Sequence, residues 1–400
     1  MMKKTLVAVA ALAATAAFAQ VAITGRAALG VSTYSATGSA TSPATNDIAS
    51  RTRLDDYSSR LRFAVNEDLG GGSRAFAVYE IGFAYDTGTG NGQALTANSA
   101  AAFNGSRESH LGYGNDFAEI RLGRQNVYWT QGDLSEQGAN FIGKDSFSDT
   151  YTRLATVRMD NTILVNFNKG VGAFSGSQMY YSFTNSNEAA PAGSASSTQA
   201  SNPVVYGFKL NYDAGKIHAM ADYQLRKSDV ATQAAAFNAN TSAFDATSWK
   251  LGVGYRYAPD SIVALHYFDM KRETLDATTN AGAINPQFST VSGGFRQTGY
   301  GVNVGHSLGN GVTLYGAWAM LGAVQHVAGG ADLNDSTTTV YNLGVRKNLS
   351  KRTGIFASYG QVSNGVNATF NPTGGSFTPT STVGAGADPS FALIGMMHNF

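Results

Sequence analysis

The 400-residue chain has no cysteine, only eight prolines, and charged residues make up just 14% of it. The missing cysteine excludes disulfides, thiolate metal sites and thiol catalysis. A soluble domain normally carries about 25% charge, so the low figure argues against an ordinary water-covered surface. An excess of either sign is lacking as well. With 28 basic and 27 acidic residues, neither nucleic acid nor an anionic membrane surface is implied as a partner. The six histidines, His110, His218, His266, His306, His326 and His398, are scattered without metal-binding spacing, so no metal is expected. Glycine-rich strings such as Gly88-Thr89-Gly90-Asn91-Gly92 lack the following helix and lysine of a phosphate cradle, and no cofactor is expected.

What is present begins with an address. Lys3 and Lys4 precede an apolar stretch from Leu6 to Phe18 that closes with Ala17-Phe18-Ala19, the pattern of a secretory signal peptide over residues 1–19 with cleavage before Gln20. The stretch is well short of the roughly 20 residues a spanning helix needs, which argues against a membrane anchor. The mature part, 20–400, then has 26 basic against 27 acidic residues. It is rich in glycine, at 46 residues in the whole chain, and in tyrosine and phenylalanine. No mature segment is continuously apolar over a helix-spanning length. A transmembrane barrel gives this composition, because each strand shows only every second residue to lipid.

Alternation of period two starts at once. Val21, Ile23, Gly25, Ala27, Leu29 and Val31 share one parity and Ala22, Thr24, Arg26, Ala28 and Gly30 the other, which predicts a strand. Fifteen similar runs follow, the second at Ser59–Asn66 and the last at Ser390–Phe400, making sixteen candidate strands. Seven short turn sequences, among them Gly114-Asn115-Asp116, Ala258-Pro259-Asp260 and Gly309-Asn310-Gly311, are rich in residues that tolerate positive φ. They alternate with eight long, polar, small-residue connections. The longest is 126–160, and the first is read as Ala36–Ser58. Such sorting by length predicts an all-β, sixteen-stranded antiparallel up-and-down transmembrane barrel with both termini on the short-turn side. A soluble β-sandwich is the alternative, but it would not sort its connections this way. Trp129, Trp249, Trp318 and many strand-end tyrosines suit either interfacial girdles or core packing.

Several strings together resemble the trimeric general porins of β-proteobacteria, the family that includes the neisserial porins. They are Val21-Ala22-Ile23-Thr24-Gly25, Ser59-Arg60-Leu61-Arg62-Phe63 running into Glu67-Asp68-Leu69-Gly70-Gly71-Gly72, Leu122-Gly123-Arg124-Gln125, Asp160-Asn161-Thr162-Ile163, and His398-Asn399-Phe400. The resemblance spans essentially the whole mature chain. It implies a homotrimer in the outer membrane of a Gram-negative bacterium, surrounded by its lipids, with a third long loop, here 126–160, folded inward to narrow a water-filled channel. The passengers implied are small hydrophilic solutes and ions. The terminal alternation ending at Phe400 resembles the signal read by the outer-membrane assembly machinery. Two departures stand out. Leu164 occupies a position where the family usually has a lumen-facing basic residue, and Met397 and Asn399 replace basic residues near the end.

A diffusion pore needs no nucleophile, only a constriction whose width and field select solutes. Parity turns Arg26, Arg60, Arg62, Arg74, Glu80, Glu119 and Arg121 toward the lumen, although Phe76 and Val78 share the face of Arg74 and Glu80. Simple alternation sends Arg124 outward and the family match sends it to the pore. A bulge near Gly123 would reconcile the two. The inward loop offers Asp133, Glu136, Asp145 and Asp149, either as an opposing acidic row or as ordinary solvated charges. The arginines point to an anion preference, which Leu164 makes milder. A barrel enzyme, such as a lipid hydrolase, and an adhesive barrel are the rival readings, and no G-x-S-x-G elbow is present for the former.

Overall fold

The computed structural model describes residues 20–40, 47–57, 59–83, 85, 106–127, 158–168, 173–183, 204–227, 244–274, 294–327, 332–371 and 383–400. These form one closed antiparallel sheet. In chain order its strands are β1 (Gln20–Thr37), β2 in two segments (Ile48–Asp56 and Arg60–Gly70), β3 (Ser73–Gly82), β4 (Ser106–Asn115), β5 (Ala118–Asn126), β6 (Arg158–Phe167), β7 (Ser177–Phe183) and β8 (Val204–Ala214). The circuit continues with β9 (Ile217–Lys227), β10 (Phe244–Ala258), β11 (Ser261–Thr274), β12 (Phe295–Gly309), β13 (Val312–Leu321), β14 (Thr338–Asn348), β15 (Thr353–Asn364) and β16 (Asp388–Asn399). A two-residue strand, Gln325–His326, pairs only with the start of β12. Sixteen strands therefore make the wall, as alternation predicts.

Closure is made by β1, which pairs with β16 from Arg26↔Asn399 to Thr37↔Asp388 and with both segments of β2 on its other side. At the turn-side end the backbones of Gly25 and Phe400 exchange two hydrogen bonds of 2.8 and 3.0 Å. From Arg26 to Ala36 β1 thus has a partner strand on both sides, as hydrocarbon demands of a spanning strand.

Boundaries shift by a few residues in several places, as where Asn126 and Arg158–Asp160 belong to β5 and β6 and not to the long connection, and the largest difference from the sequence expectation is in β2. Ile48–Asp56, read as part of the first long loop, is the upper half of β2. Its run Arg51-Thr52-Arg53 with Asp55 and Asp56 looks like loop. The strand is also interrupted at Tyr57, so the two halves do not share one uninterrupted alternation. Main-chain and capping bonds cross the interruption, with Tyr57 N donating to Ala28 O at 2.8 Å, Ala28 N to Ser59 Oγ at 3.0 Å and Ser59 N to Asp56 Oδ1 at 2.9 Å.

The short connections obey turn chemistry. Between the paired residues Gly309 and Val312, Asn310 and Gly311 have φ of 50° and 73°, the double positive φ of a two-residue hairpin whose twist matches its strands.

The wall is polar inside and apolar outside. Exposed residues include Val21, Ile23, Leu111, Leu122, Leu251, Leu265, Leu343 and Ile394, while Glu80, Glu119, Lys209, Asp222, Gln224, Lys250, Asn303 and Asn342 are buried. Such an inverted surface matches a hydrocarbon solvent outside and a polar lumen inside.

Large rings do occur on the inner wall, and they lie flat. Phe76, Tyr180, Phe268, Phe356 and Phe391 are each directly opposite a glycine of the neighbouring strand, namely Gly112, Gly207, Gly299, Gly395 and Gly360. A Cβ at any of these glycines would overlap the facing ring. The missing side chain lets each ring lie against the wall.

Candidate functional site

Arg26, Arg60, Arg62, Arg74, Glu80 and Arg121 gather on the inner wall of β1–β5, whereas Arg124 lies opposite Ser109, in register with the exposed pair Leu111 and Leu122. Arg60 and Arg62 on β2 carry the parity opposite to Leu61, Phe63 and Val65, and Arg62 lies directly across from Glu80 on β3. Glu80 is approached by three guanidiniums, with Arg107 Nε at 2.7 Å, Arg62 at 3.5 Å and Arg60 at 3.9 Å. Arg62 also reaches Glu108 on β4 at 3.0 Å, and Asn126, at the root of the long connection after β5, donates to the other oxygen of Glu108.

A second group lies toward the short turns. Glu119 on β5 accepts from Arg74 on β3 at 2.9 Å and from Arg121 Nε at 2.7 Å. Phe76 does not displace Arg74 from this face. Its ring rests over Gly112, and the Arg74 guanidinium carbon sits 5.4 Å from the ring centroid, within cation–π reach.

Arg26 lies on the inner parity of β1 directly opposite Arg60. Arg124 sits at a bulge. The register between β5 and β6 shifts between Gly123 and Gln125, and Gly123 has φ of 127°. The expected irregularity is thus present, and it brings Gln125 and Asn126 in succession into buried positions. Asp133, Glu136, Asp145 and Asp149 lie outside the described residues, as do Trp129 and residues 1–19.

Leu164 faces Arg121 across β5 and β6 and packs with Val127, Met159, Tyr180 and Val205. An apolar cluster thus surrounds Leu164, the position noted above as a departure from the resembled family.

Sequence reasoning passed over several charged residues of the inner wall. Glu108 was legible, since it alternates with the exposed Leu111 and Tyr113. Arg107 was not, because the β3–β4 register shifts between Glu80 and Ile81 and puts two successive residues of β4 on the same group of charges. Further round, Asp222 on β9 is directly flanked by Lys209 on β8 and Lys250 on β10, all three buried. Plain alternation with Phe208, Tyr223 and Trp249 would have found this row. Among the described residues no group of histidines and carboxylates could hold a metal ion.

A family profile described as Gram-negative porin matches residues 5–367. The chain belongs to the Gram-negative porin family. This porin is an outer-membrane protein, and its barrel is a channel for the diffusion of small hydrophilic solutes. Among its relatives is an outer-membrane porin of Bordetella pertussis, 26% identical over 316 residues, which are 75% of each chain. Among solved structures, an anion-selective porin from Comamonas acidovorans matches 96% of this chain and 100% of its own with a TM-score of 0.68 at 20% identity. An outer-membrane protein of Vibrio cholerae matches 96% and 98% with a TM-score of 0.62 at 12% identity. These distant likenesses concern the fold.

Proposed function

We propose that this porin passes anions in preference to cations, through a channel lined by Arg26, Arg60, Arg62, Arg74, Glu80 and Arg121. The observation that carries the reading is the excess of positive charge on one wall. Among the described residues, Arg60, Arg62, Arg74, Arg107 and Arg121 are served by only Glu80, Glu108 and Glu119. In a narrow aqueous passage with low-dielectric walls such an excess raises the local anion concentration. The solved relative from Comamonas is described as anion-selective, which agrees. Connection 126–160, rooted at Asn126 and Arg158, is the segment we assign to narrowing the passage, with Asp133, Glu136, Asp145 and Asp149 as its acids. Residues 1–19 are read as a removable leader, and the alternation ending at Phe400 as the sorting signal.

A homotrimer is the assembly we assign. On β7–β15 the loop-side half of the outer wall bears Tyr181, Tyr206, Trp249, Tyr267, Tyr300, Trp318, Tyr341 and Tyr359, a girdle suited to a lipid interface. The same level of β16, β1 and β2 bears Ala392, Ser390, Thr33, Ser35 and Thr52 instead. A face without a girdle suits another copy of the chain. One solved relative, from Vibrio cholerae, is described as a trimer form.

Passive conduction is favoured over the hydrolase and adhesin readings by membership in a channel family. Reversal potentials across a planar bilayer in a potassium chloride gradient test the proposal, with anion preference expected and cation preference overturning it. Gel mobility before and after heating tests the trimer.

A further inference from the structure

Arg26 and Arg60 stand directly opposite each other across β1 and β2, on the same face. Side chains so placed have their Cβ atoms about 5 Å apart, and like charges there repel. Among the described residues neither arginine has a carboxylate of its own. Arg26 has no ion-pair partner among the described residues, and its Nε is buried without an acceptor. Arg60 reaches only Glu80, at 3.9 Å, while that carboxylate is engaged more closely by Arg107 and Arg62. Of the other charges bearing on Arg26 among the described residues, those of Arg107 and Arg346 are also positive, and Asp56 opposes them. Sequences normally avoid such unrelieved local conflict except where function uses it.

We infer that Arg26 and Arg60 form a binding station for a small oxyanion, phosphate or carboxylate, on the channel wall. The inference rests on the anion-conducting reading above and sharpens it from a diffuse field to a place. Two guanidinium forks offer several donors at fixed angles, which an anion with two or more oxygens can engage together. Chloride, a single spherical acceptor, cannot bridge the two forks in the same way. An oxyanion here also supplies the negative charge that the described residues around the pair lack, and an acceptor for Arg26 Nε. Passing oxyanions would dwell at this point and slow the chloride that follows them.

The test is chloride current through the full-length folded channel in a planar bilayer, with inorganic phosphate titrated in at fixed ionic strength. The wild-type current is expected to fall with a half-effect at roughly millimolar phosphate. Arg26→Gln and Arg60→Gln should each raise that concentration about tenfold, the loss expected for a charge-assisted hydrogen bond. Arg60→Lys keeps the charge but loses the fork, and should resemble Arg60→Gln more than wild type. Lys351→Gln, an exposed change on a short turn, should leave the titration unaltered. Heat-shifted gel mobility identifies the variants that have folded. Anion-preferring current that phosphate does not reduce, or reduces equally in wild type and both glutamine variants, overturns the station while leaving the anion preference standing. A cation-preferring reversal potential overturns the preference itself.

Discussion

Arg62 on β2 donates to Glu108 on β4 across 3.0 Å, bridging over the intervening strand β3. The bond is possible because Glu80, the residue of β3 that lies between them, is drawn closest to Arg107. The inner wall is therefore held by a shared network in which Glu80 and Glu119 each serve more than one base and Glu108 serves Arg62 and the Asn126 amide.

Glu80 is the centre of that sharing, so Glu80→Gln is expected to make the channel more anion-preferring. A unit charge roughly 7 Å from the ion path is worth about 0.6 kcal/mol in water, about threefold for each ion and opposite in sign for anion and cation, so the permeability ratio changes by up to about eightfold. Reversal potentials before and after the substitution measure it, and an unchanged ratio would remove Glu80 from the pore lining.

Replacing both Arg74 and Arg121 by glutamine is expected to lower the anion preference by a similar factor. It also leaves Glu119 without its two bases, so the double variant should favour cations more than the loss of either arginine alone. The preference of the unaltered channel should fade as salt rises from 0.1 to 1 M, because the screening length falls from about 10 Å to about 3 Å. Selectivity measured at both concentrations tests the two points together.

Gly207→Ala would place a methyl group inside the Tyr180 ring, whose hydroxyl accepts a hydrogen bond from Gln224. The ring would be pushed off the wall at a cost of about 1–3 kcal/mol. A lower denaturant midpoint is expected, together with a smaller conductance. An unchanged midpoint would mean that the ring moves freely.

Gly123→Ala meets two obstacles, a φ of 127° and the nearby carbonyl oxygen of Ser109. The bulge would have to reorganise, and with it Asn126, whose side chain anchors to Glu108. Because Asn126 is the root of connection 126–160, the expected result is altered single-channel conductance in a barrel that still folds. Conductance histograms of the folded variant would reveal it.

Much of this was legible in the residues. Alternation and the two classes of connection give the sixteen strands, and parity alone gives Arg60, Arg62, Arg74, Glu80 and Arg121 their face. What was hidden lies where period two fails. The interruption at Tyr57 concealed the upper half of β2, and the shift beside Glu80 concealed Arg107. At Gly123 the ambiguity of Arg124 was visible, because glycine flagged the place where the count slips. Leu164 is an instructive case of a different kind. Its apolar nature was plain in the sequence, but its partners, Val127, Met159, Tyr180 and Val205, come from four places in the chain and only the closed wall assembles them.

The five flat rings and the glycines beneath them have a meaning for how this sequence can drift over generations. At those places the wall conserves the sum of two side chains and neither one separately. A ring that shrinks opens room for its opposite residue to grow, while a glycine that grows first finds the room already taken. Related barrels should therefore exchange bulk between the two members of a pair in step, and such coupled exchange would mark neighbouring strands even where the two sequences share little else.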